Sequence, residues 1–229
     1  VTSLKERARD EEQMDDPSLD PKVYDEVLNG LGRVNDWTFA ARPTLSFLAR
    51  ATRGRDGFSL LDVGSGEGGM LRTVAKWARR RGLKARLTGI DLNPKSQGVA
   101  RAKTPAEMPI DYRTGDYSEL GRFDFVISSL VAHHMTDGQL RGFLLWMESN
   151  SEAGWFVNDL HRHLFAYYGY PLLATLLGVH RIVLEDGRLS IARSFRPADW
   201  RSILGEAGLT EGVRICRYFP FRLCVERLH

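Results

Sequence analysis

Apolar residues keep two rhythms along this chain. Near-continuous apolar runs recur at 58–63, 87–90, 123–128 and 155–157, each of strand length and bounded by glycine or polar residues. Runs with little alternation read as strands buried on both faces, as in a parallel sheet covered by helices. Between them, helical spacing extends over about 67–81, 95–103 and 137–149, and a weaker strand, Ile110-Asp111-Tyr112-Arg113, precedes the third strong run. Alternating strand and helix predicts an α/β fold with helices on both faces of the sheet. Pro197 opens a helix over 198–207 that Gly208 closes, and two last strands, 212–218 and 221–227, meet at Phe219-Pro220. So short a join predicts an antiparallel hairpin at the end of a seven-stranded, mostly parallel sheet.

Two stretches depart from this rhythm. Residues 1–57 read as an N-terminal helical cover: a polar start with breakers at Asp15-Asp16-Pro17 and Asp20-Pro21, helical spacing from Val23 to Leu31, and a second helix after Pro43 carrying Leu45, Phe47 and Leu48. Residues 1–20 are expected to be loose or a short helix. Residues 161–193 are too long for an ordinary connection and read as a helical cap inserted above the sheet. The reading is one domain over 1–229, with a core at 58–160, the cap at 161–193 and a closing helix and hairpin at 194–229.

A chain of 229 residues that is 43% hydrophobic and 27% charged supports a full core, and its net charge is only +3. The one dense basic cluster, Arg79-Arg80-Arg81, ends a helix, where cations offset the dipole. It therefore speaks for no nucleic-acid partner. Cys216 and Cys224 form neither a zinc pattern nor a disulfide framework. Without a leader or an apolar run of membrane length, the expectation is a soluble cytoplasmic protein.

The densest chemical signal is Leu61-Asp62-Val63-Gly64-Ser65-Gly66-Glu67-Gly68-Gly69, a strand that turns at once into a glycine loop and a helix. Gly64, Gly66 and Gly69 satisfy the dinucleotide fingerprint, and Asp91, at the end of the second strand, lies at roughly its ribose-acid distance. Three features favour another nucleotide-like cofactor. Asp62 sits inside the strand end, where a carboxylate suits a cationic ligand and repels a pyrophosphate. The long helical preface leaves no second domain for a hydride acceptor. Gly115-Asp116-Tyr117 follows the third strand, placing an acid where an adenine amine would lie.

Four ordered segments carry a family resemblance: Leu61 to Gly68, Gly89-Ile90-Asp91-Leu92-Asn93, Gly115-Asp116-Tyr117, and Phe123-Asp124-Phe125-Val126-Ile127-Ser128-Ser129. On these the chain resembles the class I S-adenosylmethionine-dependent methyltransferases, with a Rossmann-like sheet and an antiparallel last strand. The resemblance implies that Gly64, Ser65 and Gly66 admit the cofactor's methionyl and ribose parts and that Asp62 assists its ammonium. It further implies that Asp91 takes the ribose hydroxyls, Leu92 packs on adenine, Asp116 and Tyr117 border the adenine, and the Ser129 carbonyl faces the ammonium. Arg42 is a candidate for the cofactor carboxylate. Asp91 as a helix cap and Asp116 as a turn cap remain open readings.

Acceptor residues belong on loops after the fourth and fifth strands, facing the sulfonium. Four of the six histidines lie there: His133-His134 and His161 with His163. An imidazole is a suitable base for a phenol, and His133 and His161 lead, with His134 a candidate or a helix anchor. Asp159 reads as the orienter of a neighbour. Phe165, Tyr167, Tyr168 and Tyr170, with Trp37 and Phe39, are candidates to wall an aromatic acceptor site, and Arg162 and Tyr168 to touch the acceptor. No cluster with metal-ligand spacing is seen, and no metal is expected. The chain lacks the Asn/Asp-Pro-Pro-Tyr motif of amino-group methylators. Arg42-Pro43-Thr44-Leu45, Ser129 to His134 and Asn158 to Arg162 look like small bacterial methyltransferases of quinone and polyketide biosynthesis. The expected reaction is O-methylation of a phenolic or enolic hydroxyl on a small aromatic or polyketide-like molecule. The alternatives are C-methylation of a quinol-type ring, an NAD-dependent oxidoreductase, and a catalytically silent binding domain.

Overall fold

Seven strands form one sheet in the order β3-β2-β1-β4-β5-β7-β6, seen in a computed structural model that describes residues 4–16 and 18–229. The strands are β1 (Gly57–Val63), β2 (Lys84–Asp91), β3 (Ile110–Thr114), β4 (Phe123–Ser129), β5 (Ser151–Leu160), β6 (Val213–Tyr218) and β7 (Arg222–Leu228). The first five run parallel, and β7 is antiparallel to both β5 and β6. Strands β2 and β5 begin before their apolar runs, because Lys84-Ala85-Arg86 pair with Gly57-Phe58-Ser59 of β1 and Ser151 pairs with Phe123 of β4. Cys216 and Cys224 face each other across the final hairpin as free thiols.

Successive residues of a strand point to opposite faces, so the sheet divides its apolar residues between two cores. Leu61, Val63, Val126, Trp155 and Val157 pack on one side with α5 (Asp137–Asn150) and α8 (Pro197–Glu206). Phe58, Leu60, Phe125, Ile127 and Phe156 pack on the other with α2 (Arg42–Ala51), α3 (Gly69–Arg80) and α4 (Pro94–Ala102). Local signals set the helix starts. Thr136 and Gln139 form a capping box on α5, Asn93 caps α4, and Asp20 caps α1 (Pro21–Trp37), each satisfying amides that the first turn leaves unpaired.

The cap is a pair of helices, α6 (Leu164–Leu176) and α7 (Arg181–Arg193). Val183 of α7 packs with Val27 and Val34 of α1, joining cap to cover. Residues 4–16, expected to be loose or a short helix, hold one short helical turn, Gln13–Asp15, and are otherwise pinned to the rest of the chain rather than loose. Leu4 is buried with Tyr167, Ile191 and Ala192. Arg7 donates to the Arg193 carbonyl at 2.7 Å and pairs with Asp137 at 2.6 Å. The Gln13 and Met14 amides donate to the Asp186 carboxylate at 3.0 and 2.9 Å. Composition could not reveal this, because the partners lie more than a hundred residues away. Residues 1–3 and Pro17, part of the breaker reading, lie outside the described residues. Among those described, no helix is long and apolar enough to cross a membrane.

Candidate active site

Ligands of open α/β sheets bind beyond the carboxyl ends of the strands, where strand order reverses. That point falls between β1 and β4, and the glycine loop leaves β1 there. Gly64 has φ of 72° and Gly66 of 51°, left-handed values that glycine adopts without steric cost. A Cβ on Gly64 would lie 2.3 Å from Val131 Cγ2, whereas one on Gly66 would meet nothing within 4 Å. The first glycine permits packing, and the second leaves its backbone open to a ligand.

Two carboxyl groups border this loop. Asp62 is 2% exposed and its Oδ1 has no hydrogen-bond partner among the described residues. Burial, and then the charge of Asp91, push its carboxyl up to about 8. A buried acid lacking a partner is costly, and a cation at this spot would relieve the cost. Asp91 accepts from the Gly66 amide at 2.8 Å and from the Asn93 amide at 2.9 Å. Each oxygen keeps a second lone pair for a hydroxyl. The cap of α4 is Asn93, not Asp91. Leu92 is 72% exposed, and Ser129 is half-buried at the end of β4.

Other candidates for this side sit differently. Asp116 is exposed and caps the short turn Tyr117–Glu119 by accepting from the Ser118 amide at 2.8 Å. The Tyr117 ring packs edge-on against Phe143 and Trp146 of α5 at 4.9 and 4.8 Å. Arg42 is exposed in a shallow groove with Thr73, Trp77 and Arg81 along α3.

Beside the strand ends lies a largely apolar cavity of about 440 Å³. It begins at Leu130, the residue after Ser129, and is enclosed by α1, α6, α7, the N-terminal segment and the turn before β7. Its polar wall is made of Glu12, Asn35, Thr38, His133, His134 and Arg222. His133 and His134 lie on the short turn Ala132–His134 after β4. Because Ser129 pairs with Asn158, the residues following β4 run beside those ending β5. This brings His133 to Asp159: Nδ1 is 2.8 Å from Oδ1, and the His133 amide donates to Oδ2 at 3.0 Å. On its other side, His133 Nε2 is 3.6 Å from Glu12 Oε1, and His134 Nε2 is 3.8 Å from the same atom. Glu12 also accepts from Ser190 Oγ at 2.7 Å. Burial opposes a charge on His133, but Asp159 and then Glu12 outweigh it and push the imidazole up to about 9. Burial likewise opposes charge on Glu12, yet the hydrogen bond and charge of His133 hold it below its ordinary value.

Asp159 thus orients a neighbour, as its position suggested, but the neighbour lies across a strand boundary. Glu12 was missed entirely, since nothing local distinguishes it within Glu11-Glu12. Glu12, His133 and His134 place ligand-type atoms within 4.8 Å of one another, a grouping that sequence spacing could not reveal. The surroundings suit a metal poorly. Arg193 Nη1 is 3.8 Å from Glu12 Oε1, which puts a fixed cation beside the carboxylate that a metal would need.

Several acceptor-side expectations are corrected. Arg162 is 2% exposed, bound to Asp199 at 2.6 Å and to the Leu4 carbonyl at 3.1 Å, and does not line the cavity. His161 is half-buried and lies off the cavity wall, and burial and then His163 push it down to about 4. Residues 165, 166, 169, 170 and 173 of α6 share the cavity face, so Phe165 and Tyr170 line it. Tyr168 stands on the opposite face at 57% exposure, and Tyr167 is buried toward Leu4. On α1 the lining face is Leu31, Val34, Asn35 and Thr38, which leaves Trp37 65% and Phe39 54% exposed. Helical periodicity, not aromatic character, decides which residues reach the cavity.

Comparison with known proteins adds to this geometry. Residues 61–142 match the methyltransferase domain family. No curated protein matches the sequence. Among solved structures, the chain is similar to a plantazolicin methyltransferase in complex with S-adenosylhomocysteine, with 14% identity over 91% of this chain and 90% of that one and a TM-score of 0.69. It is similar to magnesium protoporphyrin IX methyltransferase from Synechocystis PCC 6803 with bound S-adenosylhomocysteine, at 18% identity, 95% and 91% coverage and a TM-score of 0.57. Human N-acetylserotonin methyltransferase in complex with S-adenosylmethionine aligns at 15% identity over 89% of this chain and 55% of that one, with a TM-score of 0.60. At these identities the likeness is one of fold.

Proposed function

We propose that this chain is a class I S-adenosylmethionine-dependent methyltransferase, a reading supported by the match of residues 61–142 to the methyltransferase domain family, and that it transfers the methyl group to an acidic hydroxyl oxygen of a small, largely apolar acceptor. The hydroxyl would be phenolic or enolic. The observation that carries this reading is the apolar cavity that begins one residue beyond Ser129 and has a histidine gripped by two carboxylates in its wall.

The cofactor fits the residues present. Asp62, whose buried Oδ1 has no hydrogen-bond partner among the described residues, suits its ammonium, Gly66 leaves room for close approach, and Asp91 retains lone pairs for ribose hydroxyls. Bound there, the cofactor supplies an electrophilic methyl group on a sulfonium. The protein then has to align an oxygen with that methyl and exclude water, and such positioning is worth several kcal/mol of barrier, up to about 7–11. The N-terminal segment and the cap supply the exclusion by closing the cavity over the strand ends.

A phenol near pKa 10 needs a proton acceptor of comparable strength. His133, pushed up to about 9, is well matched once neutral, and Asp159 both orients the ring and stabilises the imidazolium that forms. His134, in the same wall, is the second candidate. An acceptor already ionised when it binds would instead be held by the charged ring, so that the same pair serves as an anchor.

The test is to supply the purified protein with S-adenosylmethionine and a panel of apolar phenols and enols, and to read the new methyl carbon by NMR. An O-methyl resonance that disappears in His133→Ala, with cofactor binding retained, is the expected result. A C-methyl product would move the reaction to ring carbon. An unaffected His133→Ala rate would remove the proposed role of the histidine.

A further inference from the structure

Arg222 is the one cavity-wall cation that neither the sheet nor the histidine network explains. It opens β7, lines the cavity and is only 2% exposed. Its Nε and Nη1 have no hydrogen-bond partner among the described residues. Its Nη2 reaches Asn35 Oδ1 at 3.3 Å and Thr38 Oγ1 at 3.4 Å, both beyond good hydrogen-bond length. Asp159 is the acid that acts on it most strongly, but both oxygens of Asp159 are committed, to the His133 ring and amide and to the Leu160 amide. A guanidinium is always charged, and burying one without a counter-charge is strongly unfavourable unless something supplies the missing acceptors.

Asn35 and Thr38 stand one helical turn apart on α1, on the face that otherwise gives the cavity Leu31 and Val34. Three polar side chains from two distant parts of the chain therefore converge on one end of an otherwise apolar space. This is the usual form of a small-molecule site: a hydrophobic chamber with a few polar groups that fix orientation.

We propose that Arg222, with Asn35, binds an anionic oxygen of the acceptor, either a carboxylate or an ionised enol or phenol, and so selects acidic molecules with an apolar body. The inference rests on the cavity being the acceptor site. A guanidinium with two free N–H directions favours a planar two-oxygen group, and Asn35 Nδ2 offers a further donor to it, whereas the Thr38 hydroxyl already donates to the Val34 carbonyl at 2.8 Å. The apolar remainder of the acceptor would lie along α6 and α7, against Leu173 and Ile191.

The test is calorimetry on the full chain saturated with S-adenosylhomocysteine, using 4-hexylbenzoate and the uncharged 4-hexylbenzyl alcohol as paired probes. The wild type is expected to bind the carboxylate about tenfold more tightly, as a charge-assisted contact implies. Arg222→Gln should erase the preference, and Arg222→Lys should keep part of it. If Arg222→Gln fails to fold, Asn35→Asp serves instead, because a carboxylate beside Arg222 occupies the guanidinium and should likewise erase the preference. Equal binding of the two probes by the wild type would overturn the inference while leaving the cavity as the acceptor site. A preference that survives in both variants would also overturn it and pass the role to His133. Failure of the cavity to bind either probe would overturn this inference together with the acceptor-site reading.

Discussion

Asp159 holds His133 twice, through the ring Nδ1 at 2.8 Å and through the main-chain amide at 3.0 Å. One carboxylate therefore fixes both the orientation of the imidazole and the path of the turn that carries it. The hold has an electrostatic consequence, since the folded imidazole titrates near 9 against an ordinary value of 6.5. Asp159→Asn keeps the shape and removes the charge. We expect kcat to fall by at least about a hundredfold, within the range of general-base contributions, and the rising limb of the pH–rate profile, where the imidazole loses its proton, expected near 9 in the wild type, to move toward neutrality.

The same pair ties stability to pH. A histidine whose pKa is raised on folding binds protons more tightly in the native state. The stabilisation it gives is complete below about 6.5 and is lost as pH rises through about 9. The melting temperature of the wild type should fall across that window, and Asp159→Asn should show a flatter profile there. A wild-type profile as flat as the variant's would argue against a charged His133.

Asp62 makes the opposite kind of prediction, about binding. Burial and Asp91 keep its carboxyl protonated up to about 8 in the free protein, while an ammonium ligand favours the carboxylate. Binding of S-adenosylhomocysteine should therefore release a proton at pH 6–7, and its affinity should rise with pH toward about 8. Calorimetry in buffers of different ionisation enthalpy measures the proton directly. Asp62→Asn should bind more weakly and with no proton release.

Gly64 and Gly66 separate packing from ligand access. Both are left-handed, which costs an L-residue about 1–2 kcal/mol. Only Gly64→Ala also drives a Cβ into Val131. Gly64→Ala should lower the melting temperature more than Gly66→Ala, and adding Val131→Ala should recover part of the difference. Gly66→Ala should instead lose S-adenosylhomocysteine affinity, because its Cβ would occupy the open side of the loop.

What was legible in the sequence follows the range of each interaction. The strands and the glycine loop are local patterns, so they could be read residue by residue, and with them the places of Asp62, Gly64, Gly66 and Asp91 at the strand ends. The cavity is built from contacts across the whole chain. Glu12 meets His133 from 121 positions away, and Arg222 meets Asn35 from 187. Neither distance leaves a mark on composition or period. Trp37 and Tyr168 were chosen for their chemistry, but their phase on α1 and α6 turns them outward. The phase was readable, since Asn35 and Thr38 interrupt an apolar face that Leu31 and Val34 begin.

Among the described residues, the cavity lining includes Leu130 after β4 and none of the glycine-loop residues 64–69, so the two should be separable by a substitution on the far wall. Leu173 lies on the cavity face of α6 and touches neither the glycine loop nor the histidine pair in any hydrogen bond. Leu173→Trp would fill part of the roughly 440 Å³ available without adding a charge or removing a polar partner. Overpacking of this kind typically costs about 1–3 kcal/mol, and here the cavity itself absorbs much of the added volume. The expected result is a KM for acceptor raised by about tenfold, equivalent to about 1.4 kcal/mol, with S-adenosylhomocysteine affinity unchanged within about twofold. If affinity for S-adenosylhomocysteine fell in parallel, the cavity would be part of the cofactor site, and the acceptor would have to enter from the exposed face near Trp37 and Phe39.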